Sequence, residues 1–224
     1  DTETVKDLNT SEPRICAVAI TNIDTGLTIF NSYVDPGCDF SLHDGRIKRG
    51  FSKEKLKNAP SFEEIKILLR ELCPSAQMIM YNAAYELELF PHLESYCTVI
   101  RCCMQRWADA YGKYNPRFGN RSWESLENVA NKIGIYADED KGQFFHNADF
   151  DSKATAAIWR YLDEKEIPTS IVKSDLISRL DHERIVKSLM PRLTGDCDPS
   201  KKNLLIDQSA SIEAKDQNEK APAF

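Results

Sequence analysis

The chain has 224 residues, of which 42% are hydrophobic and 29% charged, a balance that supports a buried core and excludes global disorder. No run of about 18 apolar residues occurs, which excludes an ordinary transmembrane helix, and the start Asp1-Thr2-Glu3-Thr4 has neither the basic nor the apolar region of a signal peptide. The net charge of −6 argues against indiscriminate polyanion binding, and seven cysteines without framework spacing fit a reduced, intracellular, cytoplasmic setting.

Residues 14–21 read as a strand and 26–34 as its antiparallel partner, joined by the turn chemistry of Asn22-Ile23-Asp24-Thr25-Gly26. Asp35-Pro36-Gly37 ends the second strand. Residues 61–73 read as a helix. Ser61 and Glu64 match a capping box, Ile65, Leu68, Leu69 and Leu72 share one face, and Pro74 stops it. The apolar run 77–81 suits a buried parallel strand; a helix is expected from Ala83 and a short strand at 97–101.

The next helix is expected at 122–133, with Ser122 as cap, Leu126, Val129, Ala130 and Ile133 on one face, and Gly134 just past its end. Another runs over about 149–162, with Ala154, Ala157, Ile158, Tyr161 and Leu162 on one side. A less regular helical extension follows over 166–195, and a flexible polar tail over 196–224. Strands first, then alternating helix and strand, predict an α/β domain over residues 1–165, built on a mixed sheet.

Three constellations carry chemistry. Asp1 and Glu3 stand two apart, so on an extended strand both carboxylates face one side and offer hard oxygen ligands to Mg²⁺ or Mn²⁺. Taken alone, the pair reads first as a solvated polar terminus. His146 precedes Asp151 by five residues at a helix entry. A carboxylate there can hold a cation while the imidazole acts as general base on water. Either Asp149 or Asp151 by itself also reads as a helix cap, which leaves His146 unexplained. Tyr81-Asn82-Ala83-Ala84-Tyr85-Glu86 follows an apolar strand and opens a helix, placing Glu86 near a strand end, where open α/β sheets carry their sites. A first-turn Glu is also what the helix dipole favours.

In this order, D-x-E, then an aromatic-Asn-Ala-x-aromatic-acid run, then H-x-A-x-x-D, the motifs resemble the DnaQ-like, DEDDh-type 3′–5′ exonuclease family, over about residues 1–165. The resemblance implies a ribonuclease H-like mixed sheet flanked by helices on both faces. It implies two Mg²⁺ or Mn²⁺ ions held by Asp1, Glu3, Glu86 and Asp151, with His146 as the base that deprotonates the attacking water. Thr4, Asn82 and Tyr85 are the substrate contacts it suggests. The implied substrate is the 3′ end of a single-stranded nucleic acid, DNA favoured, and the implied further partner is a DNA polymerase or replication protein, not a membrane.

The chain departs from the family pattern. Glu86 stands in place of Asp, Tyr81 in place of a common His, and Arg101-Cys102 in place of Asp-Thr. The family's D-x-E ends a central apolar strand, and with Asp1 at position 1 a first strand truncated at the N-terminus is expected. Two basic stretches complete the reading: residues 46–57, with Lys48 and Arg49, and residues 101–121, with Arg106 and Trp107 among interleaved aromatics. Such groups track phosphates and stack bases, although each stretch alone also reads as a solvated loop with some core aromatics. The rival functions are an exoribonuclease of the RNase T or oligoribonuclease kind, and a degenerate domain that binds single strands without cutting them.

Overall fold

The computed structural model describes residues 1–73, 76–90, 92–117 and 119–169. The expected helical pattern over 166–195 and the tail over 196–224 lie, from residue 170 on, outside the described residues.

Strands β1 (Thr2–Lys6), β2 (Pro13–Thr21) and β3 (Thr28–Tyr33) form an antiparallel sheet in the order β1-β2-β3. The turn between β2 and β3 is set by its own residues. Asn22 Oδ1 accepts the Thr25 N–H at 2.9 Å, and Gly26 adopts φ +71°, a left-handed conformation in which a side chain would be strained. Two short helices follow, α1 (Asp44–Lys48) and α2 (Lys53–Lys57). Helix α3 (Phe62–Leu72) begins at Ser61 with the expected reciprocal capping box to Glu64 and buries Ile65 and Leu69.

Strand β4 (Gln77–Met80), helix α4 (Ala83–Leu89) and strand β5 (Val99–Cys102) form a β-α-β unit in which β4 and β5 pair in parallel, as a helical crossover demands. Helix α5 (Cys103–Tyr111) leads to a small hairpin, β6 (Tyr114–Asn115) and β7 (Asn120–Arg121), and then to α6 (Leu126–Lys132) and α7 (Ala148–Glu164). Helix α6 starts later than the sequence suggests. Ser122 is committed to the hairpin, its Oγ accepting the Lys113 N–H at 3.0 Å, so Ser125 caps α6 instead by accepting the Asn128 N–H at 3.3 Å.

The apolar side chains divide between the layers. Val18, Val34, Ile65, Leu69, Met80, Phe90 and Ile100 form one core with α3 and α4; Cys103, Trp107, Val129, Ile158 and Leu162 form another among α5, α6 and α7. Antiparallel and parallel pairing are both present, as expected of a mixed α/β fold, but in separate sheets. A cavity of about 580 Å³ is lined by both β2 (Val18, Ile20) and β4 (Met78, Met80), together with Leu69, Trp159, Asp1, Thr2 and Glu86. Among the described residues, no helix is long and apolar enough to cross a membrane.

Candidate active site and metal centre

The site begins with the alternation of β1. Glu3 and Val5 are buried, and Thr2 and Thr4 take the opposite face. The threonines meet α4. Thr2 donates its hydroxyl to Glu86 Oε2 at 2.8 Å and its N–H to Oε1 at 3.3 Å, while Thr4 Oγ1 and the Tyr85 hydroxyl lie 3.3 Å apart. Glu86 is thus buried at 7% exposure with both oxygens engaged. Asn82 caps α4, its Oδ1 accepting the Tyr85 N–H at 3.5 Å.

Glu3 belongs to a different group. The start of α7 is fixed by Asn147, whose Oδ1 accepts the Phe150 N–H at 3.3 Å, and this places Asp151 in the first helical turn. His146, just ahead of the cap, takes φ +63°, and its backbone N–H donates to Asp151 Oδ2 at 3.0 Å. Ligand atoms of Glu3, His146 and Asp151 all lie within 4.8 Å of one another. Asp149 is turned to structural work: it accepts from Lys153 at 2.8 Å and from the Thr28 hydroxyl.

Burial, and then the nearby Glu3 carboxylate, push the Asp151 carboxyl up to about 7; the His146 N–H and the Arg49 charge pull the other way. Its Oδ1 is buried and, among the described residues, has no hydrogen-bond partner. A buried, unpartnered carboxylate oxygen is costly unless something positive reaches it. The Glu3 and Asp151 carboxylates are hard oxygen donors suited to Mg²⁺ or Mn²⁺, with the exposed imidazole of His146 beside them. These residues fit one divalent cation. Asp1 and Glu86 are not part of this converging group.

Arg46, from α1, closes the group from the side. Its Nη1 donates to Glu3 Oε2, its Nη2 to the Thr4 carbonyl at 3.0 Å, and its guanidinium lies 5.3 Å from the centroid of the Phe51 ring. A cavity of about 310 Å³ brings together Asp1, Glu3, Thr4, Arg46, Asn82, Tyr85, Glu86, His146 and Asp151.

The other sequence candidates separate. Lys48 is exposed on α1, and Arg49 is near enough to act on Asp151. Arg106 and Trp107 are not on a substrate-facing surface: they are 3% and 5% exposed, because this face of α5 packs toward α7. The Arg106 guanidinium donates to the Ile167 carbonyl, pairs with Asp163 at 2.7 Å and stacks 4.3 Å from the Trp159 ring centroid; the Trp107 indole donates to Glu124 at 3.3 Å. Two contributors were missed in the sequence. Arg46 stood undistinguished at the head of the basic run, and Thr2, inside the D-x-E motif itself, proves to be the partner of Glu86.

No family model and no curated protein matches the sequence. Solved structures do. A 3′-exonuclease described for 3′-end specific recognition of a histone mRNA stem-loop is 18% identical, with a TM-score of 0.52 over 76% of this chain and 82% of that one. A full-length 3′-exonuclease is 16% identical, with a TM-score of 0.58 over 79% of this chain and 85% of that one. The nuclease domain of 3′hExo, a DEDDh family member bound to rAMP, is 18% identical, with a TM-score of 0.50 over 78% of this chain and 94% of that one. The chain has the ribonuclease H-like fold of the DEDDh-type 3′-exonucleases.

Proposed function

We propose that the chain is a divalent-metal-dependent 3′–5′ exonuclease acting on single-stranded nucleic acid. The observation that carries this reading is the buried, unpartnered Oδ1 of Asp151, within ligand reach of Glu3 and His146, on a fold shared with 3′-exonucleases. Without a cation, such a cluster repels a phosphodiester.

Glu3 and Asp151 would hold the ion, which when bound would neutralise charge at the phosphate and lower the pKa of water. His146 is exposed and accepts the proton of the attacking water. The water oxygen bonds to phosphorus, the bond from phosphorus to the 3′ oxygen breaks, and that oxygen leaves protonated on the shortened strand. The product is a nucleoside 5′-monophosphate. Tyr85, 39% exposed beside Thr4, provides an aromatic face at the cavity mouth for the terminal base. The sequence reading favours DNA; the mRNA stem-loop and the rAMP of two structural neighbours favour RNA as the second reading.

The test is hydrolysis of matched 5′-labelled DNA and RNA single strands with Mg²⁺ or Mn²⁺, and with excess chelator. A 3′-to-5′ ladder that vanishes with chelator supports the reading. Undiminished turnover in chelator overturns it, and binding without cleavage under every condition leaves the single-strand binder as the correct function.

A further inference from the structure

We propose that a second phosphate-binding pocket adjoins the active site, formed by Lys6, Ser41, His43 and Arg46, and that it takes a phosphate of the bound strand other than the scissile one. This rests on the exonuclease reading and deepens it: recognition of the strand depends on a phosphate that is not cleaved.

The pocket is a cavity of about 410 Å³ whose polar lining is Thr4, Lys6, Ser11, Ser41, His43 and Arg46. Thr4 and Arg46 also line the active-site cavity, so the two spaces are neighbours along β1. The strand sets this layout. Thr2, Thr4 and Lys6 alternate with the buried Glu3 and Val5 and therefore share one face. Thr2 and Thr4 engage Glu86 and Tyr85, whereas Lys6 continues the row about 6–7 Å beyond Thr4, a step comparable to that between successive phosphates of an extended strand.

The electrostatics of the two cavities are opposite. The active-site cavity carries the carboxylates of Asp1, Glu3, Glu86 and Asp151 and accepts a phosphate once cations are bound. Among the described residues, no carboxylate lines the second cavity: its ionisable side chains are Lys6, His43 and Arg46, and hydroxyls complete the polar lining. The acids of the surrounding segments are engaged or lie outside it. Asp7 accepts the N–H groups of Asn9 and Thr10 and pairs with Arg14, and Glu12 pairs with Arg14 at 3.3 Å. Asp39 and Asp44 are exposed and are not part of the lining. Arg46 keeps N–H donors beyond the two it gives to Glu3 and Thr4, and the exposed Lys6 ammonium enters no ion pair or hydrogen bond among the described residues. Cationic and hydroxyl donors around a cavity without a carboxylate are the complement of a phosphate group. A strand offers that phosphate from two sources: the linkage one nucleotide 5′ of the scissile bond, or a 3′-terminal phosphate.

The experiment compares three dinucleotides on the full chain. NpN has the scissile phosphate alone, pNpN adds a 5′-phosphate where the next linkage would stand, and NpNp adds a 3′-phosphate. Affinity is measured by calorimetry in Ca²⁺, and kcat/KM in Mg²⁺. One added phosphate is expected to strengthen binding by about tenfold, the worth of one charged hydrogen bond. That gain should shrink roughly threefold or more in Lys6→Gln and in His43→Ala, with thermal midpoints unchanged because both side chains are exposed. Lys66→Gln, the same charge change on α3, should keep the gain. A gain with pNpN names the linkage as the source, and a gain with NpNp names the 3′-terminal phosphate. A gain with neither overturns the proposal, as does a gain that Lys6→Gln leaves undiminished. An equal loss in Lys66→Gln also overturns it, because bulk charge then accounts for the effect. If the parent cleaves no strand at all, the exonuclease reading fails, while the calorimetric comparison still judges the pocket.

Discussion

The backbone N–H of His146 donates to one oxygen of Asp151 at 3.0 Å, and the other oxygen of the same carboxylate is buried without a partner. The two residues are therefore locked into one unit at the mouth of α7. The left-handed φ of His146 turns the chain so that its N–H holds Asp151 while the imidazole remains exposed. One half of Asp151 is fixed by the protein, and the other half has no hydrogen-bond partner among the described residues.

Replacing Asp151 with Asn is expected to abolish tight Mn²⁺ binding and to lower turnover by at least ~10²-fold, since the ion loses a charged ligand that is already oriented. The fold should survive, because Asn can still accept the His146 N–H. Calorimetric titration with Mn²⁺, with circular dichroism as the folding control, checks this.

Stability should depend on pH through the same residue. The native Asp151 carboxyl keeps its proton up to about 7, above its ordinary 3.8. Its stabilising contribution is thus fully present below 3.8 and is lost as pH rises through about 7. In chelator, the thermal midpoint of the parent is expected to fall, relative to Asp151→Asn, by roughly 5 °C or more across that window. Saturating Mg²⁺ at pH 8 should remove the difference, because the ion binds the ionised form. Parallel slopes for parent and variant would refute the assignment.

His146→Ala should lose about 10²–10⁴-fold in rate, since the attacking water loses the base that accepts its proton. Binding of single strands should persist. Stopped-flow turnover at saturating metal, beside stability and binding measurements, separates this from a structural histidine, which would lower stability and binding as well.

Glu86→Ala leaves the Thr2 N–H and hydroxyl without their acceptor in a partly buried setting. The expected cost is about 1–3 kcal/mol in urea unfolding, with little effect on Mn²⁺ affinity. Glu86→Asp, one methylene shorter, tests the resemblance to the DEDDh pattern: raised activity would show that a carboxylate drawn back from Thr2 can serve the reaction, whereas unchanged activity with lower stability would confine this residue to holding β1.

Arg106→Ala should destabilise by roughly 2–3 kcal/mol, because the partly buried Ile167 carbonyl loses its donors and Trp159 its stacked guanidinium. Affinity of the folded variant for single strands should match that of the parent within about twofold. A large loss of affinity would restore Arg106 to the substrate surface.

Local chemistry was readable directly from the chain. The Ser61–Glu64 capping box, the Asn22-to-Gly26 turn, the apolar face of α3 and the start of α7 each rest on hydrogen bonds or periodicities spanning a few residues, so the sequence contains all the partners. The family resemblance grouped Asp1, Glu3, Glu86, His146 and Asp151 as one site; all five line one cavity, and Glu3, His146 and Asp151 form its tight group. What required tertiary structure was the division of labour among similar groups. Nothing local distinguishes Arg46, which neutralises Glu3 across 43 positions, from Lys48 and Arg49 beside it. Nothing local says that Glu86 spends its oxygens on Thr2, 84 positions away, or that Arg106 and Trp107 turn inward toward α7. Helix α6 shows the same limit at short range: Ser122 and Ser125 are equally good caps, and only the pairing of Ser122 with Lys113 across the β6–β7 hairpin decides between them. Composition and spacing determine which charges exist and which elements carry them. Burial decides which of them must be paired inside the protein, and pairing decides which remain free for a metal ion and a phosphate.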